Sequence, residues 1–136
     1  DPRACMKVFS APWDITITPL DTCGFVRLKG ERYRRILECE DRLVRDLIEN
    51  YKIWLKSRNE DWLETFKTQS SILYDTVAVY LAFSEELLVM RNLGVKVTED
   101  GYTLVSEEAR KIRCAIEWKN LEAFKDLIVE RLTEQG

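Results

Sequence analysis

Apolar side chains return every three or four positions over much of the chain. Over 31–57, Tyr33, Ile36, Leu37, Leu43, Val44, Leu47, Ile48, Tyr51, Trp54 and Leu55 form one stripe, the pattern of an amphipathic helix that buries a single face. Glu40 stands where another apolar residue would fit. Asn59 then reads as an N-cap, followed by Glu60 and Asp61 in a first turn, where carboxylates meet the positive end of the helix dipole. A second helix is predicted over 60–92, ended near Gly94, with a length on the order of 45 to 50 Å. Its section over 72–83 is apolar nearly all round and so has to be covered on every side.

Beyond that helix, 95–97 and 102–105 alternate about the pair Asp100 and Gly101, which predicts a small β-hairpin or an ordered loop over 95–105. Ser106 can cap a third helix, with Ala109, Ile112, Ala115 and Ile116 as its apolar face. The stripe resumes at Leu121, Phe124, Leu127 and Ile128, so Asn120 either marks a kink in one long helix or caps a fourth. Near the N-terminus, Ile15, Thr16, Ile17 and Thr18 alternate up to Pro19, and residues 6–30 are read as an extended arm. Residues 1–5 precede Met6 and are read as an expression scar.

The predicted fold class is therefore all-α: an antiparallel bundle of three to four long helices over 31–136, with the arm at 6–30 and the small hairpin at 95–105. Three helices can bury three facing stripes but cannot enclose a middle helix that is apolar on every side. A second copy can, which predicts a homodimer whose helix-to-helix contact uses Ile72, Tyr74, Val79, Tyr80 and Phe83.

Composition narrows the chemistry. With 46% hydrophobic and 33% charged residues the 136-residue chain is rich enough in apolar side chains to fold around a core. The net charge of -3, from 24 acidic and 21 basic side chains, supplies no global pull toward nucleic acid or an anionic membrane. The stretch 72–83 falls short of the roughly 20 apolar residues that cross a bilayer, and Asp75 interrupts it. No secretory leader pattern follows Met6, so an intracellular location and free thiols at the scattered Cys5, Cys23, Cys39 and Cys114 are expected.

Histidine is absent, which removes the commonest general base and metal ligand along with Ser-His-Asp and Cys-His arrangements. The paired carboxylates Glu85 and Glu86, and Glu107 and Glu108, would point about 100° apart on a helix and could not grip one ion. The five glycines are too dispersed for a phosphate loop. On these grounds no catalytic residue, no metal and no cofactor is expected, and the chain is read as a non-enzyme. Asp75, within an apolar section, is read as a structural carboxylate bonded to a hydroxyl or an arginine, with a catalytic acid as the alternative.

One cluster invites an anion. Arg27, Lys29, Arg32, Arg34 and Arg35 crowd the start of the first predicted helix, where positive charge opposes the dipole. Opposite charges four apart, such as Glu31 with Arg35 and Arg34 with Glu38, account for most of them as a surface ladder. The leading functional expectation is a homodimeric module for protein-protein interaction with an unidentified protein partner. The alternative is a small nucleic-acid-binding regulator using Arg32, Arg34 and Arg35, while a membrane partner is not expected.

With no histidine, few Gln and Met, abundant Glu, Arg and Lys, and long helices starting near Glu31, Glu60 and Ser106, the chain resembles small uncharacterised helical-bundle proteins of hyperthermophilic archaeal viruses and plasmids. That resemblance implies a thermophilic source, a dimeric bundle acting through protein contacts, and a host-cytoplasmic location if viral.

Overall fold

A computed structural model describes residues 1–58 and 61–134. It is a mixed α/β protein with a four-stranded sheet, not an all-α bundle. The chain divides into two compact units, one built from residues 1–22 and 77–119, the other from 23–76 and 120 onward.

The first unit holds the sheet. Strands β1 (Thr16–Ile17), β2 (Leu88–Val97), β3 (Thr103–Val105) and β4 (Lys111–Trp118) lie in the order β1-β4-β2-β3, with β1 parallel to β4 and the other pairs antiparallel. The expected hairpin over 95–105 forms, with Val95 opposite Val105 and Val97 opposite Thr103. Gly101 turns it at φ +91°, a left-handed conformation that glycine adopts without steric cost. Helix α1 (Pro2–Ser10) packs on β2, capped by the Asp1 carboxylate, which accepts from the Ala4 amide at 3.0 Å. Residues 1–5, read as a scar, are thus part of a capped helix. The supposed arm over 6–30 holds the second half of α1, then β1 and the short helix α2 (Leu20–Cys23).

Strand β4 occupies the stretch expected to form the third long helix. Its sequence KIRCAIEW fits a helical stripe through Ile112, Ala115 and Ile116, and it equally fits a period of two. The structure takes the second: Ile112 and Cys114 are buried between the exposed Lys111 and Arg113. They form a core with Val95, against which Phe9, Ile15, Ile17, Leu93 and Ile116 pack. The Thr22 hydroxyl donates to the Ala115 carbonyl at 2.7 Å, and the Trp118 indole donates to the Thr22 carbonyl at 2.9 Å.

The second unit is helical: α3 (Gly30–Leu37), α4 (Arg42–Lys56), α5 (Trp62–Thr68) and α7 (Leu121–Thr133), with α6 (Tyr74–Leu81) beginning where its first stretch of chain ends. Leu28, Tyr33, Ile36, Val44 and Val129 make its buried core. The single helix expected over 31–57 is two helices. It breaks at the odd Glu40, because the Asp41 carboxylate caps a new start by accepting from the Leu43 amide at 2.8 Å.

The long second helix fails for a related reason. Its expected beginning at Asn59 and Glu60 lies outside the described residues. Downstream, α5 stops at Thr68 and the chain runs extended, with the Ser70 amide donating to the Leu28 carbonyl and the Leu73 amide to that of Val26. The Ser70 hydroxyl accepts from the Leu28 amide and donates to the Ser71 carbonyl, bonds that compete with helix continuation. Residues 88–92 are strand, and Asn120 caps α7 by accepting from the Ala123 amide at 2.9 Å.

Gly94 does not end a helix. It lies in β2, where an added Cβ would come within 2.0 Å of the Ser106 carbonyl oxygen and 2.8 Å of that of Ala109. Gly94→Ala is therefore expected to lower stability by about 2 kcal/mol or more, read as a shift of the urea midpoint.

Candidate functional site

In the second unit, α4, α5 and the extended segment that follows them line an open cleft of about 670 Å³. That is within the roughly 300 to 1,000 Å³ of small-molecule sites. Asn50, Tyr51, Trp54 and Leu55 enter it from α4, where a spacing of four places Asn50 with Trp54 and Tyr51 with Leu55. Thr65 comes from α5, Ser70, Ser71, Ile72 and Tyr74 from the segment leading into α6, and Arg27 from the strand-like run before α3.

Some of these groups are committed to the fold. The Tyr51 hydroxyl donates to the Gln69 carbonyl at 3.0 Å, and its ring stacks on Trp54 with centroids 6.1 Å apart. Burial raises the Tyr51 phenol above its ordinary range, with the charge of Arg27 acting the other way. The remainder are open to a ligand: the side chains of Asn50, Thr65, Ser71 and Tyr74 and the Arg27 guanidinium have no hydrogen bond or ion pair to another described residue. Trp54 and Tyr74 are exposed at 45% and 42%, so the cleft offers aromatic surface beside uncommitted polar groups.

Asp75 adjoins Tyr74 in the first turn of α6. It is exposed and has no hydrogen-bonded or ion-paired partner among the described residues, which corrects the expectation of a bonded structural carboxylate. Among the described residues, no three Cys, Asp or Glu side chains are grouped to hold a metal ion. Likewise, no helix of the described residues is long and apolar enough to cross a membrane.

The solved structures that this chain matches decide its fold. Over 98% of its length it superimposes on a plant nucleoside hydrolase with a TM-score of 0.79 and 18% identity, covering 45% of that protein. Over 100% of its length it matches an inosine-uridine preferring nucleoside hydrolase from Bacillus anthracis, with a TM-score of 0.65 and 16% identity, covering 41%. The fold is that of part of a nucleoside hydrolase. The chain spans less than half the length of these neighbours, and no family model or curated protein matches its sequence.

The expectations of a non-enzymatic bundle module, of a nucleic-acid-binding regulator in its place and of an all-α interaction protein are corrected by this likeness to an enzyme fold. The absence of histidine does not by itself make a chain non-enzymatic. A chain without histidine can still serve chemistry carried by carboxylates, hydroxyls and aromatic stacking.

The residues singled out from sequence are dispersed. Ile72 and Tyr74 line the cleft, whereas Tyr80 is 4% exposed, its hydroxyl 3.0 Å from that of Ser84. Val79 and Phe83 are exposed at 65% and 66% rather than sheltered in a girdle. The cationic trio is held in ion pairs: Arg32 is bidentate to Asp126 at 2.6 and 2.9 Å and also bonds Glu122, Arg34 bonds Glu31, and Arg35 donates to Thr133 at 3.1 Å and faces Glu134 at 3.6 Å. Sequence reasoning missed Asn50, Thr65 and Ser71. The four-residue spacing of Asn50 and Trp54 was the available signal, but the extended run that completes the cleft was hidden inside an assumed helix.

Arg32 holds the Asp126 carboxyl below its usual range, and Lys125 together with Arg32 does the same for Glu122. Groups depressed in the folded state stabilise it above their unfolded pKa, about 4, and lose that contribution as pH falls through the folded value. Arg32→Ala is thus expected to destabilise the protein fully at about pH 6 and progressively less toward about pH 3, measured by urea unfolding across that range.

Proposed function

We propose that the chain supplies the nucleoside-binding part of an enzyme that hydrolyses N-glycosidic bonds. What carries this reading is the cleft: stacking surface at Trp54 and Tyr74, beside the free hydrogen-bonding groups of Asn50, Thr65, Ser71 and Arg27, on a fold shared with nucleoside hydrolases. A nucleoside has a flat base that aromatic rings accept through their faces and a ribose whose hydroxyls need donors and acceptors. In the hydrolysis, water adds to the anomeric carbon, the carbon-nitrogen bond breaks, and the base leaves with a proton. The ring develops oxocarbenium character, which a nearby carboxylate stabilises while another proton acceptor activates the water. Asp75 follows the cleft-lining Tyr74 in α6 but does not line the cleft, so the carboxylate is left to the rest of such an enzyme and this chain's part is to bind the nucleoside.

Titration with inosine and uridine, followed by tryptophan fluorescence, tests this reading. Trp54→Ala is expected to weaken nucleoside binding by about tenfold, the equivalent of 1.4 kcal/mol, within the range for base stacking. Failure to bind any nucleoside overturns the proposal, as does nucleoside binding that Trp54→Ala leaves unchanged.

A homodimer is a second proposal, with Val79 and Phe83 as its contacts because both apolar side chains are exposed. Sedimentation should show a concentration-dependent dimer that Phe83→Ser weakens, and a monomer at every concentration sinks the idea.

A further inference from the structure

Beside the aromatic cleft lies a second concavity of about 470 Å³, and Arg27 and Ile72 line both. Its wall carries Arg27, Lys29, Arg32 and Lys125 against one carboxylate, Glu122. Two of these cations are spent: Arg32 is held by Asp126 and Glu122, and the Lys125 ammonium sits 2.8 Å from Glu122. Arg27 and Lys29 have no ion pair or side-chain hydrogen bond with another described residue.

Their placement follows from the backbone. Residues 26–29 run extended, bonded to the segment after α5 through the Leu73 and Ser70 amides and through the Lys29 to Gln69 bridge. Val26 and Leu28 are buried, so the alternation of an extended chain puts Arg27 and Lys29 together on the opposite side, where both line the concavity. Two uncompensated cations two residues apart, one a planar guanidinium and the other a mobile ammonium, suit a phosphate group, which takes bidentate contacts from the first and a point charge from the second.

We propose that this concavity is a phosphate subsite and that the substrate class of the adjoining cleft is the nucleoside monophosphates. The proposal rests on the nucleoside reading above and deepens it. Arg27 lies on the boundary, where it reaches the sugar side of a bound nucleoside and its phosphate. Lys29 lines only the concavity and serves only the phosphate.

The test is calorimetric titration of the full chain with a nucleoside, its 5′- and 3′-monophosphates, and inorganic phosphate alone. One of the two monophosphates is expected to bind about tenfold or more tighter than the nucleoside, an advantage that shrinks as salt is added. Lys29→Ala, and Lys29→Gln as a gentler variant with circular dichroism to verify folding, are expected to remove most of that advantage while leaving nucleoside affinity unchanged. If the nucleoside binds and neither monophosphate binds tighter, or if both Lys29 variants keep the advantage, the subsite is overturned and the nucleoside cleft stands. If inorganic phosphate and the monophosphates bind equally while the nucleoside is refused, the nucleoside reading falls instead and takes the proposed substrate class with it.

Discussion

The docking of α7 against α3 is the constraint on which the second unit depends. The two helices are separated by most of the chain, yet Val129 is fully buried in one core with Leu28, Tyr33, Ile36 and Val44. Ile128 and Leu132 extend that contact, and the Arg32 fork on Asp126 fixes its register at the rim. Apolar burial provides most of the drive, because Arg32 pairs with carboxylates that stay in contact with water and such pairs contribute little on their own. With α7 in place, Leu28 is anchored, and the extended run that carries Arg27 and Lys29 is positioned beside the segment after α5.

That same run links the fold to the proposed chemistry. Ser70 satisfies the Leu28 amide with its hydroxyl and the Leu28 carbonyl with its amide, so one buried residue fastens the two extended stretches together. One stretch brings Arg27, and the other brings Ser71, Ile72 and Tyr74, to the cleft that α4 completes with Asn50 and Trp54. The Tyr33 hydroxyl, buried and donating to the Phe66 carbonyl at 2.7 Å, holds the end of α5 from below. Burial also raises that phenol above its ordinary range, so it remains a donor. Rigid backbone thus carries the cleft's uncommitted side chains, the arrangement that lets a site bind without first ordering itself.

How much of this was legible varied with what the local sequence could decide. Apolar stripes marked 31–57 and the stretch after Asn120 as helical, but as one helix over 31–57 instead of α3 and α4 and as the end of a longer helix instead of α7, while the Asp100-Gly101 turn located the hairpin. Charge pairs at helical spacing on 31–38 were also right in kind, since Arg34 does bond Glu31 and faces Glu38. The errors came where two periods fit one string. Residues 111–118 satisfy both a helical and a strand pattern, and the parallel pairing with β1 and antiparallel pairing with β2, which no local window contains, decided for the strand. The apolar run over 72–83 was assigned to a shielded helix, although α6 covers only part of it and leaves Val79 and Phe83 in water.

Sequence alone determined the turn at Asp100 and Gly101, because it is closed locally, the Gly101 amide donating to the Thr98 carbonyl at 3.0 Å. Helix starts were less legible: Ser106, read as a cap, begins no helix, and the cap that does break 31–57 is Asp41. Tertiary structure decided the sheet, the two-unit organisation and the cleft. Those depend on hydrogen bonds and burial between residues tens of positions apart, such as Ser70 with Leu28 and Thr22 with Ala115, and the free energy of such pairings is set by the partner rather than by the neighbouring sequence.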